Sequence, residues 1–358
     1  MRMYNQAQRM RDQSALLKYS IQQITGTEQG LNPELYPDVN WHDELFNDFA
    51  LNKKVNLNIS GGGDVAQYYL SVSHANENGL LKVDPLSNFN NNIEIKRSNL
   101  RANINVNLSK TTEIAVKYYS LFERYNGPID NATRIFEMVA DANPANFPKT
   151  FTPDQNTMNL SHTLFGNKGN GGYPNPYAEM VKGYKDRFKN TTLAQFELKQ
   201  DLSFITEGLK IRGMGSVRTY SMNQNDRSFT PFFYGIGQLE TDLGISNYLY
   251  QIQEGTEFLN NPNIENETNS NFYYQLVTEY NRTFNEKHEV GGLLVANASE
   301  ALNTIGGGTA FTTLPSRNMG VSARASYNYD SRFFAEFNFG YNGSEKFAKE
   351  NRFGFFPS

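Results

Sequence analysis

The stretch Leu100-Arg101-Ala102-Asn103-Ile104-Asn105-Val106-Asn107-Leu108 alternates without a break. Leu100, Ala102, Ile104, Val106 and Leu108 fall on one side of an extended chain, and Arg101, Asn103, Asn105 and Asn107 on the other, because successive side chains of a β-strand point to opposite faces. A tight link, Lys110-Thr111-Thr112, follows, then a second alternating run from Glu113 to Glu123, then an irregular stretch from Tyr125 to Arg187. Long two-faced strands joined by links that are alternately short and long predict a transmembrane β-barrel.

The same pattern extends in both directions. Upstream, Val55, Leu57 and Ile59 alternate with Lys54, Asn56 and Asn58. Ser60-Gly61-Gly62-Gly63-Asp64 reads as a tight turn, with glycine supplying positive φ, and Tyr68, Leu70 and Val72 share a face on the return to His74. Downstream, a strand from Thr191 to Phe204 turns at Glu207-Gly208, and Leu209 to Val217 returns, with Gly213 and Gly215 on the apolar face suggesting a bend or bulge. Phe272 to Tyr280 turns at Asn285-Glu286-Lys287 into Val290 to Ala296, and Val321 to Tyr329 turns at Asp330-Ser331 into Phe333 to Tyr341. The longer links are Ala75 to Asn92, Tyr125 to Arg187, Ser221 to Asn269 and the glycine-rich Ser299 to Ser316. The expected count is about ten strands paired as hairpins. Phe204, Tyr280, Phe284, Tyr327, Tyr329 and Phe333 gather beside the short turns, as a membrane-interface belt requires.

Met1 to about Asn52 is the least strand-like part. Ala7 to Lys18 reads as a helix, and Asn40 reads as the N-cap of another, with Asp43 and Glu44 in the first turn where the helix dipole favours carboxylates. In outer-membrane barrels the short turns are periplasmic. The strand from Lys53 therefore descends toward the periplasm, and residues 1–52 form an external loop segment with short helices, with 53–358 the strand-bearing portion. Met1 to Met10 is polar and lacks an apolar signal region, and the chain stops abruptly at Gly354-Phe355-Phe356-Pro357-Ser358. It reads as an internal piece of something longer, with at least one strand upstream.

Composition agrees. Hydrophobic residues are only 38% of the 358, aromatics a high 13%, which suits strands with one polar face and aromatic bands. The net charge of −4 gives no electrostatic footprint for nucleic acid. There are no cysteines, so disulfides and thiolate metal sites are excluded. No stretch approaches the roughly 18–20 apolar residues of a membrane helix, as expected for a barrel, whose strand signal is diluted by lumen-facing residues. The alternative is a soluble or secreted all-β carbohydrate-binding or structural protein. It too needs one apolar face per strand, and in it Ala194, Phe196, Leu198, Phe272 and Leu276 converge in a closed core.

No catalytic constellation stands out. His42, His74, His162 and His288 are widely spread, with no HExxH pair. Gly61-Gly62-Gly63 is not followed by the Gly-Lys-Ser/Thr of a phosphate loop, Gly213-x-Gly215 fails as a dinucleotide fingerprint at Arg218, and no Gly-x-Ser-x-Gly elbow is present. No catalytic, cofactor-binding or metal-binding residue is expected, and the chain is not read as an enzyme. Tyr173, Tyr177, Phe232, Phe233 and Tyr234 lie in the two longest loops among Gly and Pro and are candidate ligand-stacking rings, although they could equally pack the loops together. Arg101, Lys117, Glu197, Lys199 and Arg212 are the candidate lumen-facing charges, lining a path or bracing a plug.

Tyr36-Pro37-Asp38-Val39-Asn40-Trp41-His42-Asp43-Glu44-Leu45-Phe46, Asn56-Leu57-Asn58-Ile59-Ser60-Gly61-Gly62-Gly63 and Tyr68-Tyr69-Leu70-Ser71-Val72-Ser73 closely resemble the SusC/RagA-type TonB-linked outer-membrane proteins of Bacteroidota. Asn78-Gly79-Leu80-Leu81, Arg97 to Asn105, Tyr327-Asn328-Tyr329-Asp330-Ser331-Arg332-Phe333, Gly343 to Ala348 and Arg352 to Ser358 fit the same pattern. The resemblance implies an all-β fold: part of an antiparallel transmembrane β-barrel, about ten strands of a 22-stranded plugged barrel, with long extracellular loops and with plug, TonB box and later strands outside this chain. It also implies import of nutrients, glycan oligosaccharides first and peptides in some members, across the outer membrane. The implied partners are a SusD-like surface lipoprotein acting as a lid, TonB-ExbB-ExbD through the missing N-terminal part, and outer-membrane lipid.

Overall fold

The alternation resolves into one eleven-stranded antiparallel sheet in which each strand pairs with the next one contributed by the chain. The computed structural model describes residues 1–85, 87–169, 172–241, 244–305 and 314–358. Three helices come first: α1 (Arg2–Arg11), α2 (Ile21–Glu28) and α3 (Trp41–Leu45). The sheet begins with β1 (Lys53–Gly62), β2 (Ala66–Asn78), β3 (Glu94–Asn107) and β4 (Thr112–Pro128). The link that follows folds on its own, as α4 (Ala132–Asp141), β5 (Phe165–Gly166) and α5 (Pro176–Val181). The sheet resumes with β6 (Gly183–Asp201) and β7 (Leu209–Ser228), and the next link contains β8 (Phe233–Thr241) and β9 (Gly244–Gln253). Then come β10 (Asn263–Phe284), β11 (His288–Ile305), β12 (Ser316–Tyr329), β13 (Phe333–Ser344) and the short β14 (Phe353–Pro357). β5, β8 and β9 form a separate three-stranded sheet, so the large sheet runs from β1 to β14 without crossing and is open between those two strands among the described residues.

Register divides the large sheet into two faces. Tyr68, Ile104, Val116, Phe196, Gly215, Tyr274, Ala298, Met319, Gly343 and Phe353 are successive partners in a single row across ten strands. One residue along, Asn105, Ala115, Glu197, Met214, Gln275, Asn297, Gly320 and Asn342 form a row on the opposite face. Exposure shows which face is crowded. Phe196 and Leu276, on the apolar face, are 49% and 48% exposed, whereas Glu197 and Val277, on the polar face, are 8% and 3% exposed. The polar side is therefore the inner one, and large apolar side chains are displayed outward, the reverse of a soluble protein. Ala194, Phe196, Leu198, Phe272 and Leu276 all lie on that outward face rather than converging between two sheets, which removes the soluble-core alternative. Among the described residues no helix is long and apolar enough to cross a membrane.

Short turns close the hairpins at one end. Asn285 and Glu286 have φ of 50° and 59°, Asp330 and Ser331 of 50° and 55°, the left-handed backbone that matches strand twist in tight hairpins. Gly62 has φ of 151°, and a Cβ there would lie 2.5 Å from the Ala66 carbonyl oxygen. Tyr280, Phe284, Tyr327, Tyr329 and Phe333 fall on the outward face at this end, as an aromatic belt requires.

Several expected boundaries change. The strands run further at the loop end: β2 to Asn78, β4 to Pro128, β7 to Ser228 and β11 to Ile305, while β6 starts at Gly183 and β10 at Asn263. Apolar alternation stops short of the strand ends, but the backbone ladder continues through them. The glycine-rich stretch 306–308 lies outside the described residues. The expected helix over Ala7 to Lys18 is instead α1, ending at Arg11, and α2, which starts after Ser20 with its side chain accepting from the Gln23 amide. Asn40 caps α3 as expected, accepting from the Asp43 amide. Near Phe204 the strand ends earlier, at Asp201, and a seven-residue turn leads to β7. Gly213 and Gly215 make no bulge, since β6, β7 and β10 pair through them in unbroken register. Glycine is required sterically elsewhere: the Tyr68 ring reaches over Gly61 and the Phe353 ring lies on Gly343, where a Cβ would come within 2.8 and 2.4 Å of those rings.

A lipid-facing placement predicts that Leu276→Arg costs about 2–4 kcal/mol. Gln275→Arg, on the inner face, is expected to be tolerated. Resistance of the folded barrel to heat and detergent on gels, measured in the full-length protein, reads both; equal tolerance would remove the lipid-facing assignment.

Candidate functional site

All five expected inward charges lie on the inner face. Arg101 sits opposite Tyr119 with its guanidinium over that ring, 5.6 Å from the centroid. Glu197 on β6 is approached by Lys117 of β4 at 4.0 Å and Lys199 of its own strand at 3.7 Å, and Lys199 also reaches Glu113 at 3.2 Å. This brace ties β4 to β6. Its lysines are half exposed, so the pairs contribute modestly to stability and mainly fix side-chain positions. Arg212 is the register partner of Lys199, with buried Val277 beyond it. Neither Arg101 nor Arg212 has a carboxylate within the ion-pair range among the described residues. Lys199 and Arg212 border an open cavity of about 850 Å³ at the short-turn end, together with Glu113, Asp201, Lys210 and Glu279.

The sequence reading missed a second set of charges at the loop end of the same face. Arg97 binds Glu123 and Glu77, each at 2.8 Å, linking β4 and β2 through β3. Arg187 lies over the Tyr125 ring at 5.1 Å, and Lys185 approaches Asp226 at 3.8 Å. Strand pairing brings these residues together beyond the ends of the alternating runs, so only Arg97 and its two acids carried a signal, as opposite charges in adjacent runs.

At the loop end the links pack into a cap with its own apolar core. Trp41 and Leu45 of α3, Leu81, Ile135 and Met138 of α4, Phe147, Phe165, Met180 and Val181 of α5, and Phe233 form its centre. Asn175 holds it together: fully buried, it donates from Nδ2 to the Lys149 and Gly166 carbonyls and accepts from the Tyr177 and Ala178 amides, capping α5. Lys182 then bridges Asp130, at 2.9 Å, and Glu179, closing the base of the long link.

The cap also decides the fate of the five candidate rings. Phe233 and Tyr234 are 7% and 3% exposed and serve as core, with no free face for a ligand. Phe232 stacks on His162 at 3.7 Å, and His162 Nε2 pairs with the Tyr234 hydroxyl at 2.9 Å. Tyr177 packs against the core beneath Lys149, and its hydroxyl donates to Asp84 Oδ2 at 3.1 Å. Burial, reinforced by the Asp84 carboxylate, pushes that phenol far above its ordinary range, so it stays a donor. Tyr173 alone presents its ring, at 50% exposure. These four rings pack loop segments together. No group of three or more metal-ligating side chains occurs among the described residues.

The helices and small strands of the cap had signals that the sequence reading passed over. Asn131 caps α4, and Ile135, Met138, Val139 and Ala142 follow at helical spacing. Asn175-Pro176 is an N-cap followed by proline at the first helical position. Tyr234 and Ile236 alternate on β8, as do Tyr248, Tyr250 and Ile252 across β9.

Asn175→Ala is expected to strip the buried Gly166 carbonyl and the Tyr177 and Ala178 amides of their side-chain partner and to loosen the cap by about 2–4 kcal/mol. Limited proteolysis within residues 129–182 of the native protein checks this, and wild-type resistance would contradict it. A pH effect is expected at Asp154. Burial pushes its carboxyl up, but the Thr157 hydroxyl and the Leu249, Asn156 and Thr157 amides outweigh this and hold it below the usual range. A lowered carboxylate stabilises the fold above its unfolded value and loses that contribution as pH falls through the folded one. The contact between the 129–182 link and β9 is therefore expected to loosen on acidification through the carboxylate range, and Asp154→Asn to lose this pH dependence in hydrogen exchange at Leu249.

No family model matches the chain. Two curated proteins of Formosa agariphila are similar to it: TonB-dependent receptor P3, 22% identical over 346 residues, and TonB-dependent receptor P26, 23% identical over 358. The matches cover 90% and 91% of this chain but 31% of each relative, so the chain spans about a third of the length of the curated proteins it matches. Among solved structures, the RagAB peptide importer in its open-open state superposes with a TM-score of 0.57 at 11% identity, covering 98% of this chain and 40% of that one. Its closed-closed state gives 0.54 at 12% identity, over 90% and 35%. The two-faced sheet with inner charges, outward apolar rows and short turns at one end fits these likenesses: the chain is similar to about a third of a TonB-dependent receptor, and its sheet has the fold of an outer-membrane β-barrel wall.

Proposed function

We propose that this chain supplies wall and external cap to a TonB-dependent transporter that imports nutrient oligomers across the outer membrane and performs no covalent chemistry itself. The observation that supports it is the division of the sheet into an outward apolar face and an inner face of Asn, Tyr, Lys, Arg and Glu side chains. A wall of this kind separates lipid from a polar lumen. Residues 1–52 and the cap form the external side, with the short turns in the periplasm. A SusD-like lipoprotein sits on the cap as a lid, and TonB with ExbB and ExbD acts through the N-terminal plug portion of the whole receptor.

Glycan oligosaccharides are the proposed cargo. Asn99, Asn103, Asn105, Asn269, Asn271 and Asn297, with Tyr119 and Tyr273, share the inner face. Amides pair with sugar hydroxyls and rings with sugar faces. Peptide cargo is the second reading, since amides pair equally with peptide groups and the similar RagAB is a peptide importer.

The test is uptake by cells carrying the full-length receptor, with labelled oligosaccharide and peptide pools. Uptake that persists without TonB would sink the transport reading, and TonB-dependent uptake of peptides alone would replace the glycan reading. Tyr173→Ala is expected to weaken cargo binding roughly five- to tenfold, an aromatic contact of about 1 kcal/mol, with the cap intact. Calorimetry on the purified receptor would show it, and unchanged affinity would remove Tyr173 from the cargo path.

A further inference from the structure

Near the loop end of β11 to β14 the outward face is not flush. Ala298, Met319, Gly343 and Phe353 are successive register partners, with Tyr274 before them. A groove of about 270 Å³ lies here, lined by Tyr274, the small Ala298, Met319, Gly343 and Phe353. Phe353 is fixed in place. A Cβ at Gly343 would come within 2.4 Å of its ring, and the ring stacks on Tyr341 at 5.2 Å. The floor is therefore preformed, apolar and on the side of the sheet that lipid covers.

The rim is polar. Arg317 Nε donates to Glu300 at 2.7 Å, and its Nη1 lies 3.5 Å from Glu345. Those two acids occupy Arg317 and leave one carboxylate charge in excess on its side of the rim. Arg352 is different: half buried, it donates from Nε to the Phe347 carbonyl at 3.3 Å and has no carboxylate within ion-pair range among the described residues. It keeps its two terminal nitrogens for an anion. The height of this rim follows from β12, whose outward residues run from Met319 to Tyr329 beside the short turn. Ten residue steps at ~3.3 Å, tilted by about 40°, span roughly 25 Å, the full apolar band of an outer-membrane barrel. Arg352 thus stands where the apolar band ends, at the level of lipid phosphates.

We propose that this groove binds a phosphorylated glycolipid of the outer leaflet, with one acyl chain along Ala298, Met319 and Gly343 and a phosphate held by the Arg352 guanidinium. The planar fork suits two phosphate oxygens at once. The choice of leaflet rests on the orientation proposed above, with the loop end outside; the site does not depend on cargo identity.

Native mass spectrometry of the full-length receptor extracted from outer membranes tests this, with bis-phosphorylated lipid A as probe. Retained lipid A is expected on the wild type. Arg352→Gln is expected to lower retention about tenfold, the effect of one or two charge-assisted hydrogen bonds, and Arg352→Lys to restore part of it. Ala298→Phe, which fills the groove and leaves Arg352 in the sequence, is expected to lower retention as well. Dephosphorylated lipid A is expected to be lost from all forms. Wild-type retention in both Arg352→Gln and Ala298→Phe, or equal retention of dephosphorylated lipid A, would overturn the site. Retention of phosphatidylethanolamine in place of lipid A would overturn it through the orientation. Gel mobility of the folded barrel verifies that each variant is folded. TonB-dependent uptake is expected to be unchanged in these variants, so failure of the transport reading appears separately, as absence of uptake in the wild type.

Discussion

The constraint on which everything else depends is that a backbone in lipid must pair all its own polar groups. Water is absent there, and each unpaired amide or carbonyl costs several kcal/mol. The ladder meets that demand from β2 to β12, and only the edges at β1 and at β13 and β14 are left open among the described residues. It also removes freedom elsewhere. Once neighbouring strands are locked in register, each side chain has only two destinations, and the sequence must alternate to suit them. Inner charges such as Glu197 and outward rings such as Phe196 are adjacent in the chain yet meet opposite solvents.

That coupling explains what was legible in the sequence. Which charges share a face, from Arg101 to Arg212, follows from counting by twos, because the register keeps the period of two across the sheet. The short turns were legible because left-handed backbone selects Asn, Asp and Gly, as at Asn285 and Asp330. Strand ends were not. Beyond the band of lipid the ladder continues through residues such as Asn223, Asn225 and Asn266, whose side chains carry no alternation because both faces meet water. The two glycines of β7 misled for a related reason. They interrupt the side-chain pattern but not the hydrogen bonds.

The cap obeys a different physics. It stands in water, so its apolar residues turn inward around Trp41, Leu45 and Ile135. Reading its rings as ligand contacts treated loops as unstructured. Phe233 and Tyr234 are instead the core of a small soluble fold built on top of a membrane wall. Its cohesion relies on few groups, with Asn175 and Lys182 each joining segments far apart in the chain. One chain therefore carries two hydrophobic patterns of opposite sense, and the change-over comes where the strands leave the membrane.

The rings that lie over glycines bear on how the wall is put together. Phe353 opposite Gly343 fits only because nothing projects from that position. A slip of two residues would preserve every backbone bond and every in-out assignment, yet would set Phe353 against Tyr341 or Glu345. Hydrogen bonds cannot detect that error, since they repeat with the same period. A ring and a bare backbone can, because their shapes match at one setting only. Such pairs act as a tooth and notch, indexing a new strand against the last before the barrel is closed.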